Sequence, residues 1–190
     1  DVALIFAYLV FFNVILAYGM ETAFFRFYNK EENKKSVIST AMVSLFWSSI
    51  AFLFIGLLFR KTVADWTNIN IENITYAIWI LVLDALVIIP FSRLRAEKRP
   101  MKYAIIKIFN VTINLLLNVF FLIFLPKWVQ NPNYSWLKML YYENFEVGYV
   151  FVAGLISSLV TFIILSPDYF RISWKFDSIL KKKMFRYAFP

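Results

Sequence analysis

ITYAIWILVLDALVIIPF, residues 74–91, is an uninterrupted apolar stretch in which Asp84 is the only charged side chain. At 1.5 Å per residue, a helix of this length covers about 27 Å, close to the hydrocarbon thickness of a bilayer. Four further stretches share this character: Val2 to Phe25, Val37 to Phe59, Tyr103 to Leu125 and Val147 to Leu165. Hydrophobic residues make up 61% of the chain and charged residues 17%. A soluble domain holds nearer 45–50% apolar residues, so the surplus here must face lipid. Only 4 Gly and 6 Pro occur, and the apolar runs are continuous rather than alternating, which excludes a membrane barrel. The sequence predicts an all-α membrane protein with five transmembrane helices.

The net charge of +8 would suggest nucleic acid if the cations formed one patch. They fall instead into short clusters between the spans. The successive connections carry 4, 2, 5, 2 and 6 Lys or Arg residues, from Arg26–Lys35 through Arg93–Lys102 to Arg171–Arg186. By the positive-inside rule this alternation puts the first, third and fifth connections in the cytoplasm, and no nucleic-acid partner is expected. The fourth connection, with Trp128, Tyr134, Trp136, Tyr141, Tyr142 and Phe145, has the aromatic, nearly neutral make-up of an outer-interface segment. In the last connection Tyr169, Ile172, Phe176, Ile179 and Leu180 recur at helical spacing ahead of Lys181–Lys183. Residues 168–183 are thus expected either to lie as an amphipathic helix on the inner leaflet or to form a plain linker. A further helix is expected to begin over 185–190. The chain opens at Asp1 inside one apolar run and closes as another begins, so a longer parent protein is expected. With no Cys and no His, thiol chemistry, imidazole catalysis and common zinc sites are excluded, and no metal or cofactor is expected.

Polar residues inside the spans carry the functional signal, because an unsatisfied polar group in hydrocarbon costs several kcal/mol. Lys107, Asn110, Asn114 and Asn118 fall within an arc of about 80° on one helix face. They either line a watery cavity or bond to neighbouring helices. Asp84 lies near the membrane centre. Lys107 in the next span is expected to reach toward it, as a structural ion pair or as part of a transport site. Glu21, more than a turn inside the end of the first span, is expected to face the bundle, whereas Arg26 reads as a snorkelling anchor. Ser36, Thr40, Ser44 and Ser48, and Ala153, Ser157 and Thr161 beside Gly154 and Ser158, form small-residue faces assigned to close helix packing.

Three motifs then suggest a family. YGMETAFFRFY (18–28) at the end of an apolar helix looks like the second helix of polysaccharide-biosynthesis flippases of the multidrug/oligosaccharidyl-lipid/polysaccharide exporter superfamily. LRAEKRP (94–100), followed by Lys107, Asn110 and Asn114, resembles the family's inner loop between its fourth and fifth helices. KKKMFRYAFP (181–190) is similar to the entry into its seventh. The resemblance implies that the five spans are helices two to six of a larger two-bundle, alternating-access transporter in the bacterial inner membrane. It implies a cargo of lipid-linked oligosaccharide on undecaprenyl pyrophosphate, for O-antigen, lipopolysaccharide or a related surface polysaccharide. Membrane lipids and other glycan-assembly membrane proteins would be its partners. Lys107 and Arg26 would supply cations for the pyrophosphate, the Asn stripe a hydrated lining, and no catalytic residue is implied. A drug exporter of the same superfamily and a membrane-embedded glycan transferase are the alternatives.

The orientation is tested by single-cysteine labelling in the full-length protein. Lys98→Cys should react with an impermeant reagent only from the cytoplasm and Asn133→Cys only from outside; the reverse pattern would invert the topology.

Overall fold

The computed structural model describes residues 2–172, 174 and 177–188. The chain is 86% helical, with no strand among the described residues. Five helical segments are long and apolar enough to cross a membrane, which makes this a multi-pass helical membrane protein.

The first of them is not one straight helix. Helix α1 (Val2–Ala17) ends at Tyr18 and Gly19, and α2 (Met20–Lys30) resumes beyond them. Both linking residues have left-handed backbones, with φ 35° at Tyr18 and 66° at Gly19. A glycine suits this position because it adopts positive φ without steric cost. The break lets α2 turn an amphipathic face inward, burying Met20, Ala23, Phe24, Phe27 and Tyr28.

Helix α3 (Lys34–Thr67) starts where the Asn33 side chain accepts the Ser36 N–H at 3.1 Å. It runs on past Phe59 to Thr67, because Arg60, Lys61 and Asp65 mark the edge of an apolar run without breaking a helix. Asn68, in the left-handed conformation with φ 53°, ends it. Helix α4 (Ile71–Ala96) is capped by Asn70, whose side chain accepts the Glu72 N–H at 3.1 Å. Helix α5 (Pro100–Val119) continues through a π-helical turn at Phe120–Phe124 into α6 (Leu125–Trp128). Pro126 accounts for the wide turn, since its ring would clash with the carbonyl four residues back in a regular helix. After a 3₁₀ segment at Pro132–Leu140 comes α7 (Glu146–Leu165). The aromatic connection is tied down by Tyr149, whose hydroxyl donates to Leu140 O at 2.8 Å and accepts from the Tyr142 N–H at 2.7 Å.

Residues 168–183 do not form a single interfacial helix. The short α8 (Pro167–Phe170) gives way to a bend at Arg171 and Ile172, and α9 begins only at Ser178 and runs to Ala188. The expected start at 185 is therefore corrected to 178, and Phe176 lies outside the described residues. Asp177 determines the restart: its side chain accepts the N–H groups of both Ile179 and Leu180 at 3.0 Å. Part of the apolar surface of α9 faces the bundle, while Ile179 stays exposed. Leu180 and Met184 are buried with Met20, Phe24, Val37 and Met42 in the core shared by α2, α3 and α4. Tyr169 enters the same core and donates its hydroxyl proton to Leu86 O at 2.7 Å.

Helix α4 is the axis of the bundle, with α1, α2, α3, α5 and α7 all packed against it. Helix α5 is peripheral: Ile106 is its only buried residue, while Ile105, Ile108, Leu115 and Leu116 are exposed to the surroundings of the bundle. Because α9 is a strut within the core, Met184→Ala should lower stability by about 2–5 kcal/mol. Lys182→Ala, on its exposed face, should change it by less than about 0.5 kcal/mol. Thermal unfolding in detergent reads both, and equal small effects would mean that α9 is not docked.

Candidate functional site: a polar cavity beside α4

A cavity of about 540 Å3 opens between α1 and α2 on one side and α5 and α7 on the other, with α4 as its floor. It collects polar side chains from all five helices. Asn13 comes from α1, Glu21 from α2, Asp84 and Arg95 from α4, Lys107, Asn110 and Asn114 from α5, and Ser157, Ser158 and Thr161 from α7. Polar groups between spanning helices cannot face hydrocarbon, and here they face the cavity and one another.

Asp84 lies 13 residues from Ile71 and 12 from Ala96, at the middle of α4. Its Oδ1 accepts a hydrogen bond from Ser158 Oγ at 2.8 Å. The expected contact with Lys107 is not made: the lysine has no carboxylate within 4.0 Å among the described residues. Depth explains this, since Lys107 is only 7 residues, about 10 Å, from the start of its helix. Its ammonium lies 4.6 Å from the centroid of the Phe91 ring instead, a cation–π contact on the cavity wall.

The Asn stripe serves two roles together. Asn110 Nδ2 donates to Ser157 O at 3.0 Å and to Thr161 Oγ1 at 2.8 Å, and Asn114 Nδ2 donates to Ser157 Oγ at 3.3 Å. These bonds fasten α5 to α7, and both asparagines also border the cavity. Asn118 stands apart from the lining: it donates to Asn114 O at 2.8 Å and to Asn114 Oδ1 at 2.7 Å, along its own helix. Ser157, Ser158 and Thr161, expected as packing residues only, combine packing with lining.

Arg26 is not part of the cavity. Five residues beyond Glu21, it lies about 140° further round α2 and stacks over the Tyr187 ring of α9 at 4.1 Å. The second cation of the lining is Arg95, which in the sequence counts only as one of the topology-setting charges of the third connection. A sequence signal for it exists: Arg95 follows Asp84 by 11 residues, three helical turns, which returns it to the same face of α4. It is ion-paired with Glu21, is 3.3 Å from Ser92 Oγ, and sits 5.2 Å from the ring centroids of Phe25 and Tyr103. Asn13 is a second lining residue that sequence reasoning misses, although it is the only amide between Val2 and Ala17.

The nearby Arg93 points elsewhere. It bonds Glu97 at 2.6 Å and Asp168 of α8 at 3.4 Å, a clamp outside the cavity. The cavity therefore offers two cations, two carboxylates, and a set of amides and hydroxyls, an arrangement able to bind a hydrated, charged molecule without covalent chemistry. The chain matches no protein-family model, no curated protein and no solved structure.

Proposed function

We propose that the full-length protein is a transporter that flips a lipid-linked oligosaccharide, of the undecaprenyl-pyrophosphate type, from the cytoplasmic to the outer leaflet of a bacterial inner membrane. The observation that carries this reading is the cavity itself: Lys107 and Arg95 beside amides and hydroxyls, enclosed by helices long and apolar enough to span the membrane. A pyrophosphate brought to membrane depth needs cations, and a guanidinium and an ammonium supply them. A sugar chain needs hydrogen-bonding partners in place of water, and Asn13, Asn110, Asn114 and Ser157 offer them. The exposed apolar face of α5 suits a lipid environment for the carrier's tail. Alternating access moves such a cargo without a catalyst, so no enzymatic step is assigned. The basic ends of the helices, around Lys30–Lys35 and Arg93–Lys102, would face the cytoplasm.

Export of the cognate glycan in a deletion strain, normalised to membrane-inserted protein, tests the reading. Lys107→Ala should reduce export roughly tenfold or more, the effect of losing a charged hydrogen-bond partner. Lys107→Arg should retain part of it, because the charge persists. Asn114→Leu should impair export at normal abundance. Asp84→Asn should be mild if the carboxylate only accepts from Ser158 and severe if its charge takes part in transport. Normal export by both Lys107→Ala and Asn114→Leu would reduce this face of α5 to helix-packing contacts.

A further inference from the structure

The two cations of the cavity are held differently. Lys107 forms no salt bridge within 4.0 Å among the described residues, whereas Arg95 is directly paired with Glu21. Both members of that pair border the cavity, and their side chains are 38% and 39% exposed. An ion pair so open to solvent contributes little to holding helices together. The junction of α2 with α4 does not need it, because Met20 and Phe24 are fully buried in the core that also holds Val82, Leu86 and Ile89. Arg95 is also positioned independently of Glu21. Ser92 Oγ and the rings of Phe25 and Tyr103 fix its guanidinium from α4, α2 and α5. The guanidinium would thus stay in place if the carboxylate left.

We propose that Glu21 is a resident counter-anion, which occupies Arg95 in the empty cavity and gives way when a diphosphate group enters. The inference rests on the reading of an anionic cargo and adds how the site is kept neutral without it. Three features favour exchange over a permanent pair. The bond is exposed, so water or an incoming anion reaches it. A guanidinium presents a planar fork of N–H donors that suits phosphate oxygens as well as a carboxylate. The Lys107 ammonium borders the same cavity and provides a second contact that Glu21 does not use. A diphosphate spanning both cations would gain over the carboxylate, while a monovalent anion would gain much less. Glu21 thereby sets a threshold of charge for occupying the cavity.

The test is the affinity of the full-length protein, purified in detergent at low salt, for inorganic pyrophosphate, measured by titration calorimetry. Glu21→Gln should bind about two- to fivefold more tightly than wild type, the factor expected on removing the competition of an exposed ion pair. Arg95→Gln should bind more weakly. The double variant Glu21→Gln/Arg95→Gln should match Arg95→Gln alone, since Glu21 acts only through that guanidinium. Unchanged or weaker binding by Glu21→Gln overturns the proposal. So does a gain that persists in the Arg95→Gln background, because it would reflect a general loss of negative charge. If neither wild type nor any variant binds pyrophosphate, the anionic-cargo reading falls and the counter-anion falls with it.

Discussion

A carboxylate at the middle of a membrane-spanning helix must find a polar environment, and Asp84 imposes that requirement on the whole bundle. The face of α4 that carries it cannot meet hydrocarbon, so other helices must enclose it. Helix α7 contributes Ser158 as a direct hydrogen-bond donor, α5 brings Lys107 and its asparagines, and α1 and α2 close the other side with Asn13 and Glu21. Three turns along the same face, Arg95 reaches the basic end of the space. The polar interior is thus the consequence of one stripe on α4, running from Asp84 past Ile88 and Phe91 to Arg95.

Hydrogen bonds between α5 and α7 make that interior stable. Among the described residues α5 buries almost nothing apolar, and side-chain bonds between spanning helices are worth about 0.6–2 kcal/mol each. Asn110 supplies two such bonds and Asn114 one, all to the turn of α7 between Ser157 and Thr161. A small residue on α7 also lets that helix approach α4: a Cβ on Gly154 would sit only 3.2 Å from Ile80 Cδ1. Packing and lining are consequently inseparable on this face. Removing an amide changes both the grip between helices and the polarity of the cavity wall.

The apolar runs make the five spans legible, because a helix that is apolar on every side for some twenty residues is stable only in lipid or deep inside a large core. Departures from straight, regular helix are not legible. The break at Tyr18 and Gly19 hides inside a run that reads as continuous, and only the positive φ angles reveal it. Charges at Arg60 and Lys61 suggest an end to the second span, yet the helix continues to Thr67 because hydropathy marks the lipid boundary and not the helix boundary. The apolar spacing of Tyr169 through Leu180 suggests one interfacial helix, while Asp177 starts a new one whose Leu180 and Met184 enter the core. For the cavity, Asp84, Lys107, Asn110 and Asn114 share one space as their spacing suggests, while Asn118, on the same stripe, bonds back to Asn114 along its own helix and stays out of the lining. Arg95 carries its signal on α4 itself, three turns beyond Asp84 on the same face, where the topology-setting charges around it mask it, whereas Asn13 emerges only when the faces of different helices are brought together by the tertiary fold. Arg26 is near Glu21 in sequence, yet five residues carry it to the other side of α2.

Water in the cavity is the property on which the functional reading stands. The 190 residues contain no cysteine, so single cysteines can report it. Asn13→Cys and Ser158→Cys, from opposite walls, can be compared with Ile105→Cys on the exposed apolar face of α5. The reagent is a membrane-impermeant maleimide applied to each side of the membrane. A water-filled cavity predicts that the first two react from at least one side while Ile105→Cys stays inert in lipid. If Asn13→Cys and Ser158→Cys are as unreactive as Ile105→Cys from both sides, the polar groups around α4 form a dry helix contact, and no hydrated cargo passes there.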